Sequence, residues 1–343
     1  MLLNKLNWGY FSKYRSQLFG ISIITIMIYH FCEHALDAPS ALLRNIAKIY
    51  NFGIGSIGVE IFLFLSGMGL YFSMSKDDNV QRFYSKRFKR VLLPYVLWGA
   101  VFWIWKDLII YKYPVSDLIL DFTTLSFWLK GNKNLWYVAF ILVLYLLFPL
   151  IHKALNGKKP HRSIIAFLLI VISVAVTIAL HFTLPKVFDN IEVALFRIPV
   201  FILGTYYGKA VADNKPFSAG DVLLLIGGIT GKLAIVFEKA VLGTDKLPSR
   251  LAQFLYSLLI MVLLILIIHK CFVANKAERI LGFFGKYSFE LYITHVTLRT
   301  IMNAYGFVTY NPINYILCIT LSVIISVILS KSANKALSMK KTG

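Results

Sequence analysis

Apolar residues form long stretches that recur along the whole chain, separated by short polar connections. Each stretch is close to the length of about 20 residues that an α-helix needs to cross a lipid bilayer. We therefore predict an all-α polytopic membrane protein, a bundle of about ten transmembrane helices in a lipid bilayer. The predicted spans are residues 17–36, 56–75, 91–111, 135–152, 163–183, 194–211, 219–240, 250–269, 279–301 and 311–330.

The composition agrees with a membrane protein. Of the 343 residues, 58% are hydrophobic and 15% are charged, whereas about a quarter of the residues in soluble domains are charged. We expect residues 1–343 to form a single integral-membrane domain with no appended soluble domain. The three cysteines, Cys32, Cys271 and Cys318, match neither a disulfide framework nor the spacing of zinc ligands.

The positive charge is distributed as in a membrane protein. A net charge of +20 would also suit a nucleic-acid partner. However, Lys and Arg lie in short clusters between the apolar stretches and no nucleic-acid motif is present, so we expect no nucleic acid. The clusters predict that both termini face the cytoplasm. The longest outer connection, residues 112–134, contains an amphipathic stretch that we expect along the membrane interface or dipping into the bundle.

Ionisable side chains within spans are costly and mark candidate functional sites. His30, Glu33 and His34 share one face of the first span. Glu60 lies about one turn inside the outer end of the second span, and His295 lies in the ninth at a depth similar to that of His30. Two facing histidines with nearby carboxylates indicate a buried proton-transfer site. Two alternatives remain open: Glu33 and His34 are solvated at the helix mouth, or His30 is satisfied by a neighbouring helix.

The same first-span residues, 30–34, also fit the zinc pattern H-x-x-E-H. A catalytic zinc needs a further protein ligand from elsewhere and an open position for water. The pattern is short and arises easily by chance on a helix. We therefore expect no metal.

A basic segment precedes the third span. Residues 82–95 read RFYSKRFKRVLLPY and hold Arg82, Lys86, Arg87, Lys89 and Arg90. One interpretation is a membrane anchor or a site for anionic lipids. The other is a binding site for the phosphates of a soluble cytoplasmic donor, because a guanidinium group can bind phosphate through two parallel hydrogen bonds. Lys286 and Arg299, near the ends of the ninth span, are expected to extend toward the polar interface.

Six segments together resemble, in the same order, the motifs of the membrane-bound acyltransferase 3 family, and the resemblance covers about residues 17–310. The segments are GISIITIMIYHF, GVEIFLFLSGMGLYF, FYSKRFKRVLLPYVLWG, LWYVAFILVLYLLFPL, FRIPVFILGTYYG and GKYSFELYITHV. Two positions differ from the family pattern. Phe19 stands where the family usually has an arginine, and Ile141 with Leu142 stand where it often carries glutamates.

The resemblance implies a membrane O-acyltransferase of the cell (plasma or inner) membrane. Such an enzyme transfers an acyl group, expected to be acetyl, from cytoplasmic acyl-CoA (acetyl-CoA) to a hydroxyl of a cell-surface or lipid-linked glycan. The expected partners are therefore acyl-CoA and a glycan or lipid-linked saccharide. An alternative is an exporter or flippase for a polysaccharide or lipid-linked sugar that shares the fold without acyl transfer.

The register of the family motifs also implies roles for individual residues. His30 is the predicted general base that takes a proton from the sugar hydroxyl. The other predicted catalytic residues are Glu33, Glu60 and His295, any of which is expected to orient the His30 imidazole. The predicted donor-binding residues are Arg82, Lys86, Arg87, Arg90 and Arg197. The predicted acceptor-binding residues are Trp136, His34 and Tyr292.

Overall fold

The computed structural model describes residues 7–55, 57–237, 246–272 and 276–339. Within these ranges the chain forms sixteen α-helices and no strand. The helices are α1 (Gly9–Lys13), α2 (Arg15–Ala35), α3 (Ala41–Tyr50), α4 (Ile57–Lys76), α5 (Val80–Trp103), α6 (Val115–Phe122), α7 (Leu125–Lys130), α8 (Trp136–Leu155), α9 (Lys159–Thr183), α10 (Pro185–Leu195), α11 (Ile198–Ala212), α12 (Ala219–Phe237), α13 (Lys246–Ile267), α14 (Lys276–Lys286), α15 (Ser288–Ala304) and α16 (Pro312–Met339). Three π-helical segments adjoin them at Asn51–Gly55, Ile104–Ile110 and Ile268–Phe272.

Eight helical segments of the described chain are long and apolar enough to cross a membrane. They are Arg15–Ala35, Gly53–Lys76, Val80–Ile110, Trp136–Leu155, Pro160–Thr183, Ala219–Phe237, Arg250–Cys271 and Pro312–Ser338. Each overlaps one predicted span, so the polytopic all-α architecture is confirmed. Residues 238–240, the end of the predicted seventh span, lie outside the described residues.

The predicted sixth and ninth spans have a different form. α11 has only 15 residues, because the chain breaks at Arg197 before it. The ninth span is divided at Tyr287 into α14 and α15. The number of ten crossings and the cytoplasmic placement of the termini stay predictions.

Helices α4 and α11 run in the same direction and pack in close contact. A Cβ atom at Gly204 of α11 would clash with the carbonyl oxygen of Phe64, and one at Gly67 of α4 would clash with that of Phe201. Glycine lets the two backbones approach, as small residues do between membrane helices. This packing fixes α11 against α4 although α11 is short.

The bundle has two chemically different ends. We call the end where α2 and α5 begin the arginine end, because α2 begins there at Arg15. The Asn79 side chain caps α5 at this end by accepting a hydrogen bond from the Arg82 backbone N–H at 2.9 Å. The histidine end is the opposite one, where α2 ends just after His34. At the histidine end, segment Ile104–Ile110, α6 and α7 fold back against the bundle. The predicted amphipathic stretch thus consists of two short helices.

Candidate active site

Two histidine rings lie against each other near the histidine end. His30 of α2 and His295 of α15 stack in nearly parallel planes, 7° apart, with ring centroids 5.6 Å apart. The fully buried His295 has its Nε2 atom 3.0 Å from the hydroxyl of Tyr315 and its Nδ1 atom 3.9 Å from the Cys318 sulfur. The Tyr315 hydroxyl donates to the carbonyl oxygen of Met27 and therefore accepts from His295 Nε2. These contacts hold the His295 ring in place.

His30 differs from His295 in its hydrogen bonding. The residue as a whole is partly exposed, whereas its Nδ1 atom is buried and has no hydrogen-bond partner among the described residues. Most buried polar atoms have a hydrogen-bond partner, so an unpartnered one needs an explanation. His30 Nδ1 is thus without a partner in the described chain, whereas both ring nitrogens of His295 have neighbouring polar atoms.

The other two ionisable residues of the first span line the mouth of the site. Glu33 pairs with Arg299 at 3.2 Å, and His34 Nδ1 lies 2.5 Å from the Thr309 hydroxyl. His34, Arg299 and Asn303 line a cavity of about 310 Å³, which we name the histidine cavity. From the sequence, Arg299 was expected only to extend toward the polar interface. Its position four residues after His295, on the same helix face, is the signal that could have identified it.

Glu60 and Arg197 form a separate buried pair. Their side chains are 3.4 Å apart at the paired beginnings of α4 and α11, and one carboxylate oxygen of Glu60 has no hydrogen-bond partner in the described chain. The Arg197 guanidinium lies 5.3 Å from the Trp136 ring centroid. The structure thus places Arg197 and Trp136 together, and it does not bring Arg197 to the other predicted donor-binding residues.

A large basic cavity opens at the arginine end. This arginine cavity has a volume of about 800 Å³, and its lining includes Arg15, Arg87 and Arg90. The Nε atoms of Arg15 and Arg87 are buried and have no acceptor within the described residues. Unsatisfied guanidinium donors in a cavity are suited to an anion, because guanidinium binds phosphate in a bidentate way.

The two departures from the family pattern meet in the arginine cavity. Phe19 and Ile141 both line it, and the Arg15 guanidinium lies over the Phe19 ring at 5.3 Å from its centroid. Residues four apart share a helix face, so Arg15 extends its charge to the place that Phe19 occupies. The cavity is therefore basic although position 19 is not.

Two predicted donor-binding residues lie away from this cavity. The side chains of Arg82 and Lys86 are 60% and 65% exposed, and both face Asp77, at 2.8 and 3.9 Å. A hydrogen bond from Arg82 lowers the pKa of the Asp77 carboxyl, which keeps it charged. Asp77 thus partly neutralises the two exposed cations, while Arg87 and Arg90 line the cavity.

A narrow apolar slot lies between the arginine cavity and the histidine pair. Its volume is about 10 Å³, close to that of a single water probe. It shares Phe62, Tyr137 and Phe289 with the lining of the arginine cavity, and its other walls include Ile26 and Tyr292. Ile26 is four residues before His30 on α2. The predicted acceptor residue Tyr292 accepts a hydrogen bond from the Tyr137 backbone at 3.2 Å and forms part of this slot.

Among the described residues, no three His, Cys, Asp or Glu side chains are grouped so that they could hold a metal ion. The fold and the site define a polytopic membrane protein with a basic cavity at one end, a histidine pair toward the other and an apolar slot between them. A family model described as an acyltransferase domain matches residues 20–331. The chain therefore belongs to the acyltransferase 3 family, as the sequence motifs indicated, and is a membrane transferase. Searches of the curated proteins and of the solved structures give no match.

Proposed function

We propose that this protein transfers an acyl group, acetyl in the first instance, from acyl-CoA to a hydroxyl of a cell-surface or lipid-linked glycan. Acyl-CoA binds at the arginine end, which faces the cytoplasm together with both termini, and the glycan binds at the histidine end of a protein in the cell membrane. The observation that carries the proposal is that one helix, α2, holds Arg15 in the arginine cavity at one end and the unpartnered Nδ1 of His30 toward the other end.

The spacing along α2 supports this arrangement. Arg15, Phe19, Ile26 and His30 follow one another at intervals of four, seven and four residues, which keeps them on one side of the helix. The rise of an α-helix puts Arg15 and His30 about 22 Å apart. The extended arm that links the CoA nucleotide to its thioester has a comparable length. A donor bound through its phosphates at Arg15 can thus present its thioester near His30.

The arginine cavity fits the phosphates of CoA. Arg15, Arg87 and Arg90 surround it with positive charge, and two of the three have an Nε–H donor without an acceptor in the described chain. None of the described lining residues is acidic. These features favour a polyphosphate over a neutral or cationic molecule.

His30 is the general base of the proposed reaction. Its Nδ1 takes the proton of the sugar hydroxyl while the hydroxyl oxygen attacks the thioester carbonyl carbon. The carbon–sulfur bond then breaks, the proton passes to the leaving thiolate, and the products are the glycan ester and CoA thiol. His295, held by Tyr315, stacks on His30 and keeps the ring oriented. Glu33 and Glu60 act through their arginine partners rather than through His30.

Mass spectrometry of the surface glycan tests the proposal. Cells that produce the wild-type chain are compared with cells that lack it and with cells that produce His30→Ala. We expect the mass increment of an acetyl group only with the wild-type chain. His161→Ala changes an exposed histidine far from the site and serves as the matched control. Full acylation by His30→Ala at normal abundance would contradict the assignment of His30.

The same experiment separates acyl transfer from export. An exporter changes the amount of glycan at the surface and leaves its acyl content unchanged. Loss of surface glycan without a change in acylation would therefore favour the exporter and reject the transferase.

A further inference from the structure

A third cavity, at the histidine end, has no role in the proposed chemistry. It has a volume of about 450 Å³ and is formed by the π-helical end of the third span together with α6 and α7. Its lining includes Tyr111, Tyr113, Asp117, Asp121 and Asn132. We name it the tyrosine pocket. A concave site that combines aromatic rings with a few converging polar groups is the usual form of a small-molecule site.

Two exposed tyrosine rings form one wall of the tyrosine pocket. Tyr111 and Tyr113 are 50% and 44% exposed and stack with ring centroids 5.3 Å apart and planes 13° apart. Between them, Lys112 has a φ of 52°, a left-handed conformation that costs a non-glycine residue about 1 kcal/mol or more. The Tyr113 backbone N–H donates to the Asp107 carbonyl oxygen at 2.7 Å and holds this turn. The turn thus places the two tyrosine rings side by side, and about half of each residue stays exposed.

A buried polar network adjoins the two rings, with the Lys106 ammonium 5.7 and 5.9 Å from the ring centroids of Tyr111 and Tyr113. Lys106 is 7% exposed and its Nζ atom lies 2.7 Å from Asp107 and 3.0 Å from Asp121. The other carboxylate oxygen of Asp121 accepts from the Asn132 side chain at 2.6 Å. Asp107 is completely buried, and its second oxygen has no partner among the described residues. Buried ion pairs seldom increase stability over apolar packing, so we expect this network to have a role besides stability.

The charge of the tyrosine pocket indicates the kind of ligand. Its lining holds two lysines, Lys106 and Lys130, and two aspartates, Asp117 and Asp121. Equal numbers of opposite charges disfavour a phosphate or another polyanion. Asp117 pairs with Lys130 at 2.5 Å and Asp121 pairs with Lys106 at 3.0 Å. Each carboxylate oxygen has a second lone pair that can accept a hydrogen bond from a hydroxyl group, and the tyrosine rings are suited to the C–H face of a pyranose ring. The chemistry is that of a neutral, hydroxyl-rich sugar.

The tyrosine pocket adjoins the candidate active site. Tyr111 lines both the tyrosine pocket and the histidine cavity, in which His34 lies. His34 is one helical turn beyond His30 on α2. A chain of sugar residues that begins in the tyrosine pocket therefore continues toward the free nitrogen of His30.

We propose that the tyrosine pocket is a saccharide subsite, which binds a neutral pyranose residue adjacent to the one that is acylated. This assignment rests on the proposed function and deepens it. It makes the enzyme prefer an oligosaccharide to a single sugar, because only the oligosaccharide reaches both cavities. The sugar next to the acylated one thus determines which position of the glycan is modified.

The test uses the full chain and acceptors of one and four sugar residues, released from the surface glycan of cells that lack this protein. Tyr113→Ala is expected to raise the KM for the four-residue acceptor about tenfold. The KM for the one-residue acceptor and for acyl-CoA, and the kcat, stay at wild-type values. Tyr113→Phe keeps the ring and is expected to retain the affinity. Tyr305→Ala, an exposed tyrosine at the same end outside both cavities, is the matched control.

Saturation-transfer NMR with the four-residue acceptor gives a readout that does not need turnover. The wild-type chain is expected to show contacts to the sugar ring protons that Tyr113→Ala loses and Tyr305→Ala keeps. Equal KM values and equal contacts in Tyr113→Ala and Tyr305→Ala would overturn the subsite. Binding that depends on Tyr113, in a chain that acylates no glycan, would support the subsite while rejecting the proposed reaction.

Discussion

The charge of Arg15 is expected to perform the role of the arginine that the family usually has at position 19. The Arg15 guanidinium lies over the Phe19 ring, inside the arginine cavity, and its Nε atom has no acceptor in the described chain. Replacing Arg15 by alanine removes this charge and its donors without filling the cavity. The predicted consequence is a loss of affinity for CoA.

The size of the loss follows from the donors that disappear. A hydrogen bond to a charged group contributes about 1.5–3 kcal/mol, and each 1.4 kcal/mol is about a factor of ten in affinity. Arg15→Ala is therefore expected to weaken CoA binding by about 10- to 150-fold. Lys86→Ala is the matched control, because Lys86 is exposed and faces Asp77. It is expected to change the affinity by less than about twofold, as for other exposed ion pairs.

Isothermal titration of the detergent-solubilised full chain with CoA measures these affinities directly and does not require turnover. Arg15→Ala/Phe19→Arg moves the guanidinium back to the family position and is expected to recover most of the affinity. Circular dichroism shows whether each variant retains its helices. Wild-type affinity in Arg15→Ala, or a larger loss in Lys86→Ala than in Arg15→Ala, would refute the assignment of the arginine cavity to CoA.

Further predictions concern the slot and the bundle. Phe62→Ala widens the slot and is expected to raise the ratio of kcat/KM for butyryl-CoA to that for acetyl-CoA about tenfold, because each added methylene contributes about 0.8 kcal/mol on burial. Phe148 is buried outside the slot, so Phe148→Ala is expected to leave this ratio unchanged in the same steady-state assay. Gly204→Val is expected to destabilise the α4–α11 contact by about 1–3 kcal/mol, seen as a lower thermal unfolding midpoint in detergent. Arg197→Ala leaves the Glu60 carboxylate buried and unpaired at a cost of about 3–5 kcal/mol; a midpoint equal to the wild type would show that Glu60 is not charged.

Much of the fold could be predicted from the sequence, because a stretch of membrane-spanning length is a strong signal on its own. The two exceptions have physical reasons. The break before α11 occurs at Arg197, and its charge is stabilised by Glu60, a partner far away in the sequence. The break at Tyr287 separates the strongly amphipathic α14 from the buried α15. Hydropathy averaged over a span does not detect either break.

The site was predictable where helical register and depth determine it. His30 and His295 were placed at one depth by their positions in their spans, and the structure stacks them. The shift of charge from position 19 to Arg15 follows from helical spacing. In contrast, the contact of His295 with Tyr315 and the network around Lys106 join separate elements. Such contacts depend on how the helices pack, which no local pattern in one sequence contains.

In the proposed reaction, the slot lies between a donor bound at the arginine end and an acceptor bound at the histidine end. A channel wide enough for a sugar would also pass water and ions. At about 10 Å³, the slot is far smaller than a pyranose ring, and its walls, which include Phe62 and Phe289, are apolar. A slender thioester arm passes such a constriction by displacing side chains, whereas a glycan does not. The proposed acyl transfer therefore needs only the thioester arm and its acyl group to enter the slot, while the glycan stays at the histidine end.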